Sequence, residues 1–371
     1  MQTTDLSALN TLVLGASFAL SLLFGAVVQR THFCTMGAVS DIVNMGDWTR
    51  MRQWGLAIGV AMAGFALLAY TGLIDPAKTL HGGNRWLWLS AAVGGLLFGF
   101  GMVLSSGCGS KTLVRVGSGS LKSLVVLLVM GWAGFATMKG ITAVLRVDTV
   151  DRVAVEFAGT ASLPQVLAAP LGLAPATMLL VLGLLIGAVL IVWALRGEQF
   201  LRADNLLAGF GVGGIIVAMW WVSGHLGHLA EHPETLEEVY LATNSGRAEA
   251  LSFVAPVSYT LDWLMFYSDK SKVLTLGIVS VFGVITGSAL MALWGRTFRW
   301  EGFGSTEDVA NHLVGAVLMG VGGVTAMGCT IGQGLTGLST LGLNSVVAFA
   351  AIVAGAVLGF KYQMWRLERM G

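Results

Sequence analysis

The chain has 371 residues, of which 55% are hydrophobic and 11% charged, with a net charge of +1 and three cysteines. A mean hydropathy of +0.78 lies outside the range of a water-soluble globular domain of this length. The basic residues stand singly between apolar runs and offer no patch to a nucleic acid, and an odd number of cysteines in apolar surroundings is not a disulfide framework.

A helix needs about 20 apolar residues to cross roughly 30 Å of hydrocarbon. Nine runs reach that length, starting near Thr11, Trp54, Trp86, Leu121, Pro175, Ala203, Lys272, Asp308 and Asn344. The first lacks the basic flank and small-residue cleavage site of a signal peptide and is read as a retained span. Four shorter apolar, Gly-rich stretches lie between the spans, at 33–43, 108–120, 256–266 and 329–343. Backbone at membrane depth must be hydrogen-bonded within protein or face a water-filled cavity, so these stretches are expected to be re-entrant segments lining a pathway. Small-xxx-small pairs recur (Gly95/Gly99, Gly183/Gly187, Gly209/Gly213, Gly283/Gly287, Gly355/Gly359), and tight helix packing in lipid accounts for them.

The chain carries an internal repeat. Residues 93–101 read Val-Gly-Gly-Leu-Leu-Phe-Gly-Phe-Gly before Gly107-Cys108; residues 314–322 read Val-Gly-Ala-Val-Leu-Met-Gly-Val-Gly before Gly328-Cys329. Glycines fall at the same distances before both cysteines. The match continues, slipped by one residue, from Ser123-Leu124-Val125-Val126 to Ser345-Val346-Val347. The spans then group as four, one and four: a first repeat over 1–150, a linking span within 151–200 and a second repeat over 201–371. A four-span half returns to its starting side and a single link crosses, so the repeats are expected to be inverted, with the working site near the midplane. The expected fold is an all-α polytopic membrane protein of about nine spans with short re-entrant helices.

One alternating face gathers Arg30, Arg50, Arg52, Lys111, Arg115, Lys122, Arg196, Arg202, Arg296, Arg299, Lys361, Arg366 and Arg369. By the positive-inside rule that face is cytoplasmic, the N-terminus is outside and the C-terminus inside. The one long polar stretch, 223–252, carries Glu231, Glu234, Glu237 and Glu238 with apolar residues at helical spacing, and is expected to be an amphipathic insertion on the outer face. His225, His228 and His232 would share one face of that helix. No cysteine is near, and a solvated helix explains them without a metal.

Cys34, Cys108 and Cys329 all lie in or at the mouth of the short segments. The inversion would bring Cys108 and Cys329 to a central passage from opposite sides, with Cys34 beside Cys108. A thiol buried in apolar protein stays neutral, and a neutral S–H donates a weak hydrogen bond to an anion that a thiolate would repel. Helix N-termini and Gly-rich backbone would offset lost hydration. A single buried cysteine is otherwise a small hydrophobe, and a Cys34–Cys108 disulfide would quench two donors. Arg30, His32 and Lys111 flank the thiols and either draw an anion in or snorkel to headgroups. Thr35, Ser105, Ser106, Ser110, Thr330 and Gln333 add donors, and the backbone of Gly107, Gly109 and Gly328 completes the expected pathway. No hydrolytic, zinc-binding or phosphate-loop signature is present, so neither an enzyme nor an ATP-driven pump is expected, and no cofactor.

Arg30-Thr31-His32-Phe33-Cys34 with Gly37 and Asp41, Gly107-Cys108 with Arg115-Val116-Gly117, and Gly328-Cys329-Thr330-Ile331-Gly332-Gln333-Gly334 together resemble the YeeE/YedE sulfur-transport family over nearly the whole chain. The resemblance implies an hourglass-shaped importer of thiosulfate in the bacterial inner membrane, its three cysteines passing the anion by S–H contacts, with membrane lipid around it and a small TusA-like sulfur-carrier protein receiving the sulfur in the cytoplasm. His32 stands where a second arginine is often found, Gly109-Ser110-Lys111 varies the middle motif, and the family includes members tied to selenium. The competing reading is a membrane-bound sulfurtransferase holding a cysteine persulfide, which would need one exposed, low-pKa thiolate.

Overall fold

Hydrocarbon offers the backbone no hydrogen-bond partner, so the apolar runs close their own ladders as helices. The computed structural model describes residues 3–198, 200–233 and 235–370; Glu234 of the polar stretch lies outside the described residues. In chain order the helices are α1 Thr3–Thr31, α2 Thr35–Met45, α3 Thr49–Tyr70, α4 Trp88–Leu104, α5 Gly109–Gly117, α6 Leu121–Lys139, α7 Ile141–Asp148 and α8 Leu163–Leu171. They continue with α9 Pro175–Leu195, α10 Ala203–Leu206, α11 Val212–Trp221, α12 Val254–Met265, α13 Leu276–Trp294, α14 Thr306–Thr325 and α15 Leu343–Met370. A π-type turn at Leu207–Gly211 joins α10 to α11, a second follows at Val222–Leu226, and a third, Gly332–Gly337, forms the middle of a short helix over 330–339.

Among the described residues, nine helical segments are long and apolar enough to cross a membrane, and they begin within a few residues of the expected starts except the first, which begins earlier. The protein is a multi-pass membrane protein. The four stretches too short to cross are α2, α5, α12 and the 330–339 helix, each spanning under about 20 Å at 1.5 Å per residue. α2, α5 and the 330–339 helix each follow a long helix, α1, α4 and α14, after a short break, whereas α12 follows the β3–β4 segment.

Glycine decides how the spans meet. Gly283 and Gly287 of α13 lie on Phe18, Ser21 and Leu22 of α1; Gly183 and Gly187 of α9 lie on Met62, Ala66 and Gly59 of α3; Gly355 and Gly359 of α15 lie on Leu96 and Val103 of α4. Gly209 and Gly213 meet Leu56 and Ala57 of α3, and Gly95 and Gly99 meet Ala348 and Ile352 of α15. All the small-residue pairs therefore sit at helix interfaces, as close packing in lipid requires. Down the centre α4 crosses α14 with Gly94 against Gly322 and Gly101 against Gly315. Outward faces carry large apolar side chains such as Leu185, Val189, Leu290 and Trp294.

Two faces follow from the connections. The first gathers the α2–α3, α5–α6 and α13–α14 connections, where Ser120 bridges to Glu301 and Lys122 pairs with it at 2.6 Å. The second gathers 71–87, 140–174 and the polar stretch, tied by bridges Thr79–Ala248 and Ser162–Gly342 and by the antiparallel strands β1 Arg85–Trp86 and β2 Val155–Glu156.

The expected amphipathic helix over the polar stretch is not what forms. After the π-type turn the chain makes a two-strand hairpin, β3 His228–Leu229 against β4 Val239–Tyr240, then a segment that sinks Ala248, Ala250 and Leu251 into the core. Gly224, Gly227 and Pro233 explain the departure, since Pro233 lacks an N–H and disfavours helix at His232. The histidines consequently share no face: His225 packs on Trp221, His228 pairs with Glu238 at 2.6 Å, and His232 accepts the Thr235 N–H at 3.4 Å.

Candidate functional site

Each cysteine sits in the same local frame. Two residues before it the backbone is left-handed: His32 at φ 53°, Ser106 at φ 57° and Met327 at φ 58°. Non-glycine residues in that region cost on the order of 1 kcal/mol each and persist where the surroundings enforce them. At two of the three the enforcement is a double carbonyl cap. Ser106 N–H donates to Val103 O and Gly107 N–H to Met102 O; Met327 N–H donates to Val324 O and Gly328 N–H to Gly323 O. The cap ends the long helix, and the cysteine that follows opens the next short helix.

The sulfurs also act as helix caps. Gly37 N–H donates to Cys34 Sγ at 3.4 Å and Gly332 N–H to Cys329 Sγ at 3.5 Å, while the Lys111 amide lies near the Cys108 sulfur. An N-terminal residue that accepts from the third amide satisfies one of the orphan donors of a helix start. With sulfur as acceptor, the S–H proton of each thiol remains available.

These helix starts converge. Cys34 and Cys108 are in hydrogen-bonding contact, Cys108 Sγ lies 3.3 Å from Ser110 Oγ, and Thr330 from the second half stands beside Cys108. Cys329 meets the amide of Phe253, the residue that opens α12, and the Cβ of Phe253 lies beside Gly109. Four helix N-termini thus face one small region, at Cys34, Cys108, Phe253 and Cys329. Their partial positive charges and unpaired amides favour an anion there. All three thiols are free and buried, with Cys108 1% and Cys329 0% exposed.

The same region holds polar atoms with no partner among the described residues. Thr35 Oγ1 and Thr330 Oγ1, one residue after a cysteine, are buried and unpaired, as are Trp54 Nε1 and Gln333 Oε1. Leaving a buried donor unmade costs about 1–3 kcal/mol; the two hydroxyls and the indole N–H are such donors, whereas Gln333 Oε1 is an acceptor. Gln333 is held through its amide, which donates to Ala326 O at 2.6 Å. Trp54 stacks on Phe33 at 4.7 Å and on Phe349 at 5.7 Å and walls the region from α3.

The flanking charges divide. On the first face Lys111, half-buried, shares its surroundings with His32, Arg50 and Arg115; Arg50 is paired with Asp41 at 3.3 Å, and Arg115 donates to Ser106 O at 2.6 Å. Arg30 binds Asp204 at 3.2 Å with both side chains more than half exposed, and Asp204 is itself a charged neighbour of His32. On the second face a cavity of about 230 Å³ ends on Met327 and Gly328, next to Cys329, with Gly323, Ser252, Glu249 and Tyr259 in its wall. A neighbouring cavity of about 300 Å³ shares Leu80, Ser245 and Met327 with it and reaches Gln333.

Gly107 lies over Lys111 and Arg115, Gly328 against Gln333, and Gly109 against Met130 and Phe253, so every expected pathway residue except Arg30 is in or beside the central group. Phe253, Trp54 and Glu249 were not singled out from sequence. Phe253 stands immediately before α12, as Cys34 stands immediately before α2, and an apolar residue there gives no chemical signal. Trp54 looks like any tryptophan near the start of a span.

Comparison with known proteins agrees with this architecture. The chain is 26% identical over 345 residues to the thiosulfate transporter TsuA of Spirochaeta thermophila, covering 90% of this chain and 94% of that protein. It is 26% identical over 324 residues to TsuA of Escherichia coli, covering 84% of each. It is 29% identical over 137 residues to the probable transporter YedE of Escherichia coli, 37% of this chain and 31% of that protein. Residues 30–358 match the family described as Sulphur transport, and the chain is a membrane transporter belonging to that family, the YeeE/YedE family.

Proposed function

We propose that the protein carries thiosulfate inward across the bacterial inner membrane, handing it between the neutral thiols of Cys329, Cys108 and Cys34. The observation that carries this reading is the convergence of three buried free thiols and four helix N-termini on one region holding unpaired buried hydroxyls. An S–H is a weak, soft donor that suits the terminal sulfur of thiosulfate, while Thr35, Thr330 and the backbone amides suit its oxygens. Their number lets the ion shed water stepwise without being held tightly. Membrane lipid covers the apolar outer faces, and the basic first face is cytoplasmic by the positive-inside rule. Lys111 and its neighbours then hold the anion at the exit, where a sulfur-carrier protein collects it.

The two halves act as inverted repeats about this region. In the repeat, Gly94 corresponds to Gly315 and Gly101 to Gly322; in the fold Gly94 meets Gly322 and Gly101 meets Gly315. That exchange of partners is what a two-fold axis between antiparallel helices produces. The packing of α1 on α13 and of α3 on α11, and of α4 on α15 and α14 on α6, repeats the same exchange.

Expression of the chain in a bacterium stripped of its own thiosulfate uptake tests the reading. Growth on thiosulfate as sole sulfur source supports it; no growth, with the protein present in the membrane, overturns it.

A further inference from the structure

The cavity on the second face has polar walls, yet its charges are unevenly matched. Arg146 of α7 is ion-paired with Asp151 at 3.0 Å. Tyr259 of α12 is an uncharged phenol. Neither α13 nor the end of α14 contributes a charge, since their wall residues are Leu276, Gly277, Ser280, Gly323, Val324 and Met327. In the adjoining clefts Lys272 binds Asp262, Lys139 is exposed, and Arg247 and His81 face the second cavity. Glu249 alone is a carboxyl in this wall with no cation among the described residues: it accepts the Asn244 N–H at 3.3 Å and lies 3.2 Å from Ser245 Oγ. Its own backbone is pinned by Ser223 Oγ, which accepts its N–H at 2.8 Å.

A carboxylate without a counter-ion is an unexpected lining for the mouth of an anion pathway, because it repels the cargo. As a neutral acid it does the reverse, offering an O–H donor beside Asn244, Ser245 and Tyr259. We propose that Glu249 is the gate of this mouth: protonated, it admits a divalent anion toward Cys329, and ionised, it turns the anion away. The inference rests on the transport reading above. Glu249 lies on one side of the constriction only, so its proton stays behind when the anion moves on; it regulates access and does not ride with the cargo. Burial pushes the Glu249 carboxyl up from the ordinary carboxylate range to about 7, which places the change where the outside of a bacterium varies.

The test is thiosulfate uptake by the full-length protein in vesicles, with external pH stepped from about 6 to about 8, a range over which thiosulfate itself remains a dianion. The neutral fraction of Glu249 falls from about nine-tenths to just under about one-tenth across these limits, so wild-type uptake is expected to drop roughly tenfold. E249Q, an uncharged mimic, is expected to keep its low-pH rate at every pH, and E249D to retain a pH dependence. Melting temperatures of all three proteins report whether the fold is intact, and if E249Q is unstable the E249D profile, shifted along the pH axis, carries the test. A wild-type profile that is flat, or an E249Q profile that falls like wild type, overturns the gate while leaving transport standing. No uptake at any pH sinks the transport reading and the gate together.

Discussion

Cys34-Thr35 and Cys329-Thr330 put a thiol and a hydroxyl on the first turn of two facing helices. At Cys108 the hydroxyl comes from Ser110 instead. An ordinary packed threonine between membrane helices bonds back to the carbonyl four residues earlier, as Thr112 does to Cys108 O at 3.0 Å and Thr137 to Ala133 O at 2.8 Å. Thr35 and Thr330 have no such bond. Thr330→Val removes a hydroxyl that has no backbone carbonyl to bond and stands beside Cys108, and it keeps the shape. The melting temperature of T330V is expected to be unchanged or slightly raised, since an unmet buried hydroxyl costs about 1–3 kcal/mol. Its thiosulfate uptake is expected to fall several-fold. A variant that melts early and transports normally would mean that the hydroxyl is structural.

At the scale of elements, close helix approach is what the glycines provide. Gly101→Ala would set a Cβ 2.7 Å from Gly315 O at the α4–α14 crossing, where backbone cannot yield; overpacking of this kind costs about 1–3 kcal/mol. Gly15→Ala, with open space around it on α1, is expected to leave the melting temperature unchanged or raised through helix propensity. Thermal unfolding in detergent compares the two, and equal effects would contradict the packing argument. The spans were legible in sequence because length and hydropathy alone define a helix that crosses hydrocarbon. The short helices were legible because the chain had apolar stretches too short to cross. The polar stretch was not, because its apolar spacing was read as one helix through Pro233, and a hairpin with two-residue strands leaves almost no periodic trace. Arg30 was expected either to draw an anion in or to snorkel to headgroups; proximity in sequence to Cys34 does not decide which way a side chain leaves the end of a helix, and Asp204, distant in sequence, pairs with it.

For the whole molecule, long helices from both parts of the chain surround one buried central region. Its thiols are buried and free, and the proposed passage draws on both properties. The charged flanks differ: Lys111 and its neighbours on the first face, Glu249 on the second. Moving a dianion inward against about 150 mV costs roughly 7 kcal/mol, a cost that a coupled proton or cation, or rapid consumption of the cargo inside, would offset. That question is separated from the pathway by measuring at zero potential. Initial uptake of radiolabelled thiosulfate into vesicles holding wild type, C108A or C329A, with no potential imposed and with melting temperatures checked, tests the thiol passage most directly. The account predicts that each variant stays folded and loses about 90% or more of wild-type uptake, equivalent to at least about 1.4 kcal/mol of lost stabilisation in the passage. Undiminished uptake by both folded variants would contradict it.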